Sequence, residues 1–267
     1  MALAMPAYGL AAQELDVPTP YLSSTPLNVD EMLRLAAVTP SDTVYDLGSG
    51  DGRVIIAAAR DYGARGVGVE LDAKLVAESA ENARRAGVAD RASFRQADVL
   101  TVPVGDATVV TMYLLPPLVR KLQDRLYADL RPGARIVAHD YPFPDWGADR
   151  RVVVSKTFYL YTVPAHVEGT WKLALDAGGA RTYDLQFQQR YEQVKGAARV
   201  KGGILPAFEA RVSGEHVAFI LADGDYSCRY EGTVRGDRMD GTVRWGYGPA
   251  QNTGRWHATR AAEKGDR

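Results

Sequence analysis

The sequence predicts an α/β domain with a doubly wound, mostly parallel sheet, followed by a small antiparallel β barrel or sandwich. Between residues 27 and 140, strand-like apolar runs alternate with helical patterns, which is typical of right-handed βαβ units with helices on both faces of a sheet. From residue 165 onward no convincing helical pattern remains, and apolar and polar residues alternate with the two-residue period of strands. The 267 residues, 46% of them hydrophobic, are enough for one large domain or two small ones.

Four segments follow from this change of period. We expect a leader or disordered segment at 1–24, the α/β domain at 25–164, the β-rich domain at 165–260 and a frayed tail at 261–267. The leader has no charge before Glu14, so it is either an alanine-rich extension or a secretory signal that has lost its basic start. No apolar run reaches the roughly 18 residues that a membrane helix needs.

The elements of the α/β domain follow in order along the chain. The predicted strands are TVYDL, GVGVE, ASFRQ, ATVVTMYLL and ARIVAHD, and the predicted helices are RVIIAAARDY, the segment 73–87 and PPLVRKLQDRLYADL. Gly87 lies where a helix C-terminal cap is expected. RVVVS and KTFYLYTV, after Trp146, predict two further strands.

Seven or so strands are expected in the β-rich domain. They are VEGTWKLAL, RTYDLQFQQRYEQV, FEARVSG, EHVAFILA, YSCRYEGTVRG, DRMDGTVRWG and GRWHATR. Gly-Glu in VSGEHV and Gly-Asp in VRGDRM are two-residue hairpin signals. Cys228, the single cysteine, excludes an intramolecular disulfide and a cysteine-based zinc site, and we expect it to be a small core residue. We expect no metal.

The charge pattern argues against a nucleic-acid partner. The formal net charge is −1, and lysine and arginine residues are scattered among acidic ones. No domain-wide basic field is available to hold a phosphate backbone, so we expect no nucleic-acid binding.

A glycine-rich stretch joins the first strand to the first predicted helix. The pattern is Asp46-x-Gly48-x-Gly50-x-Gly52, which differs from the G-x-G-x-x-G of NAD and FAD sites. Glycines allow a tight turn and let a ligand approach the backbone, although a turn built only for packing would look similar. The acid before the loop, with no lysine or arginine inside it, favours a cationic ligand over a phosphate. We expect Arg53, at the helix start, to face solvent.

Two more acids follow the next two strands. Glu70 ends the second strand about 20 residues after the glycine turn, where doubly wound folds place an acceptor for ribose hydroxyls. Asp98 follows the third strand and can accept a hydrogen bond from an adenine amino group. Each acid alone is typical of a solvated loop or helix cap. Together with the loop they predict an adenosine with a positively charged tail, which is S-adenosylmethionine.

With DLGSGDG, GVGVELD and QADVL, residues 27–163 resemble the class I S-adenosylmethionine-dependent methyltransferases. STPLNVDEML, YDLGSGDGRVIIAAA and ARIVAHDYPFPDW are most similar to the lysine N-methyltransferases that modify the mitochondrial adenine nucleotide translocase and the ATP synthase c-subunit, and to their bacterial relatives. The resemblance implies a Rossmann-like, cofactor-binding domain at 25–164 and says nothing of the β-rich half. The expected cofactor-binding residues are Thr25, Asp46, Gly48, Ser49, Gly50, Asp51, Gly52, Glu70, Leu71, Ala97 and Asp98.

Candidate catalytic residues follow the fourth and fifth strands. They are Tyr113, His139 and Asp140, with Asp140 preferred because it lies at a strand end on the ligand-binding edge. Neighbouring residues on a strand point to opposite faces, so we do not expect His139 and Asp140 to act as a pair. We expect the methyl group to point into the space between Tyr113 and Asp140. An aromatic wall of the cleft is an equally good interpretation of Tyr113.

Three functions fit these residues. The first is an N-methyltransferase acting on a protein lysine. The second is a small-molecule methyltransferase with an amine, thiol or oxyanion acceptor, in which the β-rich half closes the pocket. The third is a non-catalytic protein that binds S-adenosylmethionine. MYLLPP lacks the acid or amide that DNA N-methyltransferases carry there, which argues against a DNA base as acceptor. We expect the cytoplasm, where the cofactor is made, or export if the leader is a truncated signal; the oligomeric state stays open.

Overall fold

The computed structural model describes residues 23–176, 182–200, 202–223, 226–246 and 251–262. The expectations for the leader and the tail therefore lie almost entirely outside the described residues.

Seven strands form the first sheet. They are β1 (Thr43–Leu47), β2 (Arg65–Glu70), β3 (Ala92–Gln96), β4 (Val109–Met112), β5 (Arg135–His139), β6 (Arg150–Val153) and β7 (Thr157–Thr162). Their order across the sheet is β3-β2-β1-β4-β5-β7-β6. The first five strands pair in parallel, and β7 runs antiparallel to β5 and β6. The predicted doubly wound, mostly parallel sheet is confirmed.

Helices cover both faces of this sheet. They are α1 (Pro26–Leu35), α2 (Arg53–Tyr62), α3 (Ala73–Arg85) and α4 (Pro116–Asp129). One core packs α1, α2 and part of α3 against one face, and a second core packs α4 against the other. The strand order reverses between β1 and β4, so the carboxyl ends of β1, β2, β4 and β5 meet at the edge where such sheets bind ligands.

Helix α1 was missed by the sequence analysis. Thr25 is its N-cap and accepts a hydrogen bond from the Asn28 N–H at 3.3 Å, and Pro26 occupies its first turn. Both are ordinary start signals, present in the STPLNVDEML segment. The predicted cap at Gly87 is confirmed by a φ of 70° after α3.

Eight antiparallel strands close into a barrel. They are β8 (Gly169–Leu175), β9 (Thr182–Arg190), β10 (Gln193–Val200), β11 (Gly203–Ser213), β12 (His216–Asp223), β13 (Tyr226–Arg235), β14 (Arg238–Trp245) and β15 (Asn252–Arg260). The fully buried aromatic side chains of Trp171, Phe187, Phe219 and Trp256 lie in its interior. A barrel of this size is filled by such side chains, so its centre is a packed core.

The barrel, one of the two architectures expected for this half, is confirmed. One expectation needs correction, because RTYDLQFQQRYEQV is a hairpin of β9 and β10 instead of one strand. Tyr191 and Glu192 turn the chain there, and Tyr191 has a φ of 53°. The predicted turns at Gly214 and Gly236 are confirmed, and Cys228 lies on β13, partly buried against the barrel core.

The first sheet ends at Thr162 and the first barrel strand begins at Gly169. A hydrogen bond of 2.7 Å from the Ala165 N–H to the Gly214 carbonyl ties the connecting segment to the barrel. The proposed boundary at 164 stays a prediction. Among the described residues, no helix has the length and apolar character needed to cross a bilayer.

Candidate functional site

Three glycines shape the turn from β1 to α2. Gly48, Gly50 and Gly52 have φ values of 83°, 52° and 83°, in the left-handed region that glycine enters without steric cost. The N–H groups of Gly48 and Ser49 donate to the Val69 carbonyl at 2.9 and 3.0 Å, which fixes the turn against β2. Backbone atoms that carry no side chains therefore lie at the ligand-binding edge of the sheet.

Asp46 is buried at the end of β1, between β2 and β4 in the sheet. Its carboxylate accepts a hydrogen bond of 2.7 Å from the Thr111 hydroxyl, a partner that the sequence analysis missed. Burial raises the pKa of Asp46 to about 7; the Thr111 hydrogen bond opposes this rise, and the charges of Glu70 and Asp51 reinforce it. The acid before the loop is thus neutral part of the time near pH 7.

Glu70 lies below the glycine turn, at the end of β2. One carboxylate oxygen accepts from the Gly50 N–H at 3.0 Å, and the other accepts from the N–H groups of Leu71 and Asp72 at 2.8 and 3.1 Å. These bonds aim the half-buried carboxylate at the loop. Asp72 serves as the N-cap of α3.

Around this turn lie further predicted residues. The Ser49 hydroxyl is buried and has no hydrogen-bond partner within the described ranges. The Leu71 side chain is 69% exposed, which is unusual for leucine, and Ala97 packs partly buried against the core. Asp98 is exposed, and one of its carboxylate oxygens accepts from the Leu100 N–H at 2.8 Å.

The expectation that Arg53 faces solvent is wrong. Its guanidinium forms two hydrogen bonds with the Asp51 carboxylate, at 2.8 and 2.6 Å, and a third of 2.6 Å with the Ser24 carbonyl. Asp51 is therefore neutralised by an ion pair inside the loop region. This pairing has no sequence signal, because it needs the Arg53 side chain to turn back over the start of α2.

The segment before α1 connects the glycine turn to β5. The Thr25 hydroxyl caps α1. The preceding residue, Ser24, contacts one residue beside the glycine turn and one at the end of β5. The Ser24 carbonyl accepts from Arg53, and its hydroxyl lies 3.1 Å from Nδ1 of His139. Ser24 was not predicted, since its partners are remote in the sequence.

Tyr113 and Asp140 contact each other. The Tyr113 hydroxyl donates to the Asp140 carboxylate at 3.2 Å, so the expected open space between the two side chains is bridged by a hydrogen bond. The Lys156 ammonium, which the sequence analysis missed, donates to the same carboxylate oxygen at 2.9 Å. Burial raises the pKa of Asp140, but hydrogen bonds from Lys156 and the Thr157 N–H outweigh this and bring it below its ordinary value. Asp140 is therefore ionised at neutral pH and suited to hold a cation.

The expectation that His139 and Asp140 point to opposite faces is wrong, because Asp140 is not part of the strand. Asp140 lies just past β5 with a φ of 62°, outside regular strand geometry. Its carboxylate is 4.0 Å from Nε2 of His139, close but beyond hydrogen-bond distance. The two side chains therefore lie on the same side of the sheet edge.

His139 is buried between aromatic rings. Its ring stacks on Tyr113 at a centroid distance of 3.9 Å and on Phe158 at 4.8 Å. Burial lowers the pKa of His139 to about 4, against the opposing charge of Asp140. The imidazole is thus neutral, and its Nε2 has no hydrogen-bond partner in the described part of the chain.

A cavity of about 640 Å³ lies elsewhere, between α1, α2 and α3. It shares Asp51 and Arg53 with the glycine turn but includes neither Glu70 nor Asp140. We place the functional site at the sheet edge, because convergent polar groups and backbone without side chains lie there.

This edge fits an adenosyl sulfonium. The buried Ser49 hydroxyl offers an unused hydrogen bond, the glycine backbone leaves room for close approach, and Asp46 and Glu70 supply negative charge. The exposed Leu71 side chain offers an apolar face for a planar base. A phosphate-bearing ligand fits poorly, because the guanidinium of Arg53, beside the turn, is paired with Asp51.

Comparisons with known proteins agree with this geometry. The family model described as the ANTKMT methyltransferase domain matches residues 46–150. A protein-lysine N-methyltransferase from Saccharolobus islandicus is 37% identical over 153 residues, which cover 55% of this chain and 95% of that protein. The adenine nucleotide translocase lysine N-methyltransferase of mouse is 33% identical, over 52% of this chain and 60% of that protein.

A solved structure extends the comparison. The RNA methyltransferase from Salinibacter ruber, in complex with S-adenosyl-L-homocysteine, is 46% identical, with a TM-score of 0.54 over 55% of this chain and 96% of that one. The fold, the site and these matches define an S-adenosylmethionine-dependent methyltransferase. The chain belongs to the ANTKMT methyltransferase family.

Proposed function

We propose that this enzyme N-methylates a lysine side chain of a protein. The observation that carries the proposal is the Lys156 ammonium on Asp140: the edge already binds a primary alkyl ammonium at 2.9 Å, beside Tyr113. A substrate lysine has the same chemistry and can take the same position. The names of the archaeal and mouse relatives support a protein lysine as acceptor.

The cofactor residues are proposed as follows. Glu70 accepts from the ribose hydroxyls, Asp98 from the adenine amino group, and Leu71 and Ala97 contact the base. Asp46 and the backbone of Gly48, Ser49, Gly50, Asp51 and Gly52 hold the methionine part, with Thr25 at its margin. When bound, S-adenosylmethionine supplies a methyl group on a sulfonium for in-line displacement.

On the acceptor side, the chain orients an amine. Asp140 fixes the nitrogen through one hydrogen bond, and Tyr113 limits its approach from the side. Since Asp140 is ionised, it holds the amine in place instead of taking its proton at neutral pH. His139 has a pKa of about 4 and is an equally weak base, so the substrate amine loses its proton to water before methyl transfer, and His139 serves as a neutral ring packed against Tyr113.

A second candidate function has one supporting observation. The Salinibacter structure is of an RNA methyltransferase and is 46% identical to this chain. The near-neutral charge of this chain argues for protein over RNA, because phosphate contacts need basic surface. A small-molecule acceptor is the third possibility.

One experiment separates the three. The protein is incubated with cell extract and cofactor carrying a radiolabelled methyl group, and label is followed into protein, RNA and small-molecule fractions. We expect label in protein, recovered as methyl-lysine after hydrolysis. Label only in RNA or only in small molecules would contradict the proposal. Asp140→Asn is the matched control, since it should bind cofactor and transfer little label.

We propose the cytoplasm as the location, because the cofactor is made there. Fractionation of cells that produce the full-length protein, with detection by antibody, tests this.

A further inference from the structure

We propose that the turn between β9 and β10 positions the acceptor side of the active site. The positioning residues are Tyr191 and Glu192, which hold the loop 141–147 that follows Asp140. The inference rests on the proposed function in one respect: it takes the Asp140 edge as the place of the acceptor. It gives the barrel a role in catalysis that the methyltransferase family match, confined to 46–150, does not contain.

Glu192 binds the far end of the loop. The Gly147 N–H donates to its carboxylate at 3.0 Å. A Cβ atom on Gly147 would lie 2.5 Å from that oxygen, so the carboxylate fits against a backbone position that has no side chain. Arg190 adds an exposed ion pair of 3.3 Å with Asp145, which contributes little.

Tyr191 also holds the far end of the loop, through a ring contact with Trp146. Trp146, which is 3% exposed, stacks on it at a centroid distance of 5.5 Å and an interplanar angle of 7°. Phe143 also stacks on Trp146, at a centroid distance of 5.4 Å. The ring of Tyr191 thus belongs to the core of the α/β unit, although its backbone belongs to the barrel.

The Tyr191 hydroxyl reaches the same loop through α4. It accepts from the Gln123 side chain at 2.6 Å and donates to the Asp124 carboxylate. The buried Gln123 amide in turn accepts from the Asp145 N–H at 3.1 Å. Ring and hydroxyl therefore fix one loop by two independent routes.

Backbone geometry supports the interpretation that the loop 141–147 is held at both of its ends. Tyr191 and Asp140 have φ values of 53° and 62°, which residues other than glycine keep only where their surroundings hold them. The Asp140 N–H donates to the Thr157 carbonyl at 2.7 Å, which anchors the near end. Release of the far end would let the loop shift Tyr141 and the Asp140 carboxylate away from the acceptor.

The test uses the full-length protein and three variants. Glu192→Ala removes the acceptor of the Gly147 N–H, Glu192→Gln keeps an oxygen there, and Tyr191→Phe removes only the hydroxyl. Glu215→Ala, in the turn between β11 and β12, is the control, because its half-exposed side chain forms a long ion pair of 3.9 Å with the exposed Arg235. Amide hydrogen exchange over 141–147 and cofactor affinity by calorimetry are measured, together with the apparent kcat and KM for transfer of a radiolabelled methyl group to the protein fraction of cell extract.

We expect Glu192→Ala to speed exchange over 141–147 and to lower kcat roughly tenfold, with cofactor affinity unchanged, since small misplacement of reacting groups costs rate. Glu192→Gln should have an exchange rate and a kcat close to those of the wild type. Tyr191→Phe should have values between those of the wild type and Glu192→Ala, and Glu215→Ala should match the wild type. Faster exchange without loss of kcat overturns the positioning role, and so does loss of kcat without faster exchange. Failure of the wild type to methylate any protein overturns the proposed function instead, while exchange still decides whether the turn holds the loop.

Discussion

At the scale of single residues, Asp46 links cofactor binding to pH. It is buried at the end of β1, with one neutral hydrogen-bond donor, Thr111, and two acidic neighbours, so its pKa rises to about 7. A cation placed beside a carboxyl group favours the ionised form. Binding of a sulfonium at this edge should therefore draw a proton off Asp46.

The first prediction concerns this proton. Affinity for S-adenosylmethionine should increase between about pH 5.5 and about pH 8, with proton release near the middle of that range. Asp46→Asn should bind more weakly and lose this pH dependence. Calorimetry in buffers of different ionisation enthalpy measures the released proton, with Asp61→Asn, an exposed partner of Arg60, as control. Equal proton release by wild type and Asp46→Asn would refute the linkage.

The same residue affects folding. In the unfolded chain an aspartate loses its proton near 3.8, whereas folded Asp46 keeps it up to about 7. The folded state therefore binds the extra proton between these values, and the ligand-free protein loses stability as pH rises through this window. Asp46→Asn removes that loss, so at about pH 8 its free energy of unfolding should exceed that of the wild type by something on the order of 1–4 kcal/mol. Urea denaturation at both ends of the window tests this; a wild type that is equally stable at both would contradict it.

Asp140 and Tyr113 carry the prediction for turnover. Asp140→Asn should lower kcat about 10²-fold, since an uncharged amide no longer orients the amine. Tyr113→Phe should lower kcat less than Asp140→Asn does if the aromatic ring of Tyr113 is more important than its hydroxyl. The rate should rise toward about pH 9, because the neutral fraction of a lysine grows there. A flat pH–rate profile, together with full activity of Asp140→Asn, would indicate an acceptor that is already nucleophilic at neutral pH.

At the scale of elements, the turn between β1 and α2 depends on Gly52 for shape and space. It has a φ of 83° as the N-cap of α2, and a Cβ there would lie 2.7 Å from the Phe94 ring and from Ser79. Gly87 also has positive φ, but a Cβ there meets nothing within 4 Å. A side chain at either position has to adopt positive φ, but only at Gly52 does it also overlap with neighbouring atoms. A comparison of the two positions therefore separates the cost of backbone strain from the cost of steric overlap.

Gly87→Ala should therefore cost on the order of 1 kcal/mol of stability and leave cofactor binding intact, because only backbone strain is added. Gly52→Ala should cost on the order of 3 kcal/mol, since overpacking adds to the strain, and should abolish cofactor binding. Thermal denaturation and calorimetry measure both. Similar losses in the two variants would show that strain alone sets the requirement for glycine.

Most of the α/β unit follows from the sequence because the periods of helices and strands alternate clearly there. The failures have identifiable causes. Lys156 reaches Asp140 across the antiparallel pairing of β5 with β7, and no local pattern marks such a contact. Tyr191 turns the chain in a conformation that favours glycine or asparagine, so the β9–β10 hairpin has no turn signal. Arg53 reverses onto Asp51, a rotamer choice that sequence does not encode.

At the scale of the whole molecule, the barrel is an addition to a methyltransferase unit. The archaeal relative and the Salinibacter structure are each covered almost completely by 55% of this chain, so they have no room for both units. Core residues of the barrel pack among themselves, yet Tyr191 enters the core of the α/β unit. The described contacts of the β9–β10 turn include the loop 141–147, next to Asp140, and none of the proposed cofactor residues. This arrangement favours a barrel that helps to position the methyl acceptor and does not contribute to cofactor binding.

We propose that one sheet edge is divided into a cofactor side at Glu70 and an acceptor side at Asp140. Calorimetric titration of S-adenosyl-L-homocysteine into Glu70→Gln and Asp140→Asn tests it most directly. Glu70→Gln should bind at least about tenfold more weakly, since it loses a charged acceptor for hydroxyl donors. Asp140→Asn should bind as the wild type does. Unchanged affinity in Glu70→Gln, or an equal loss in both variants, would contradict the division.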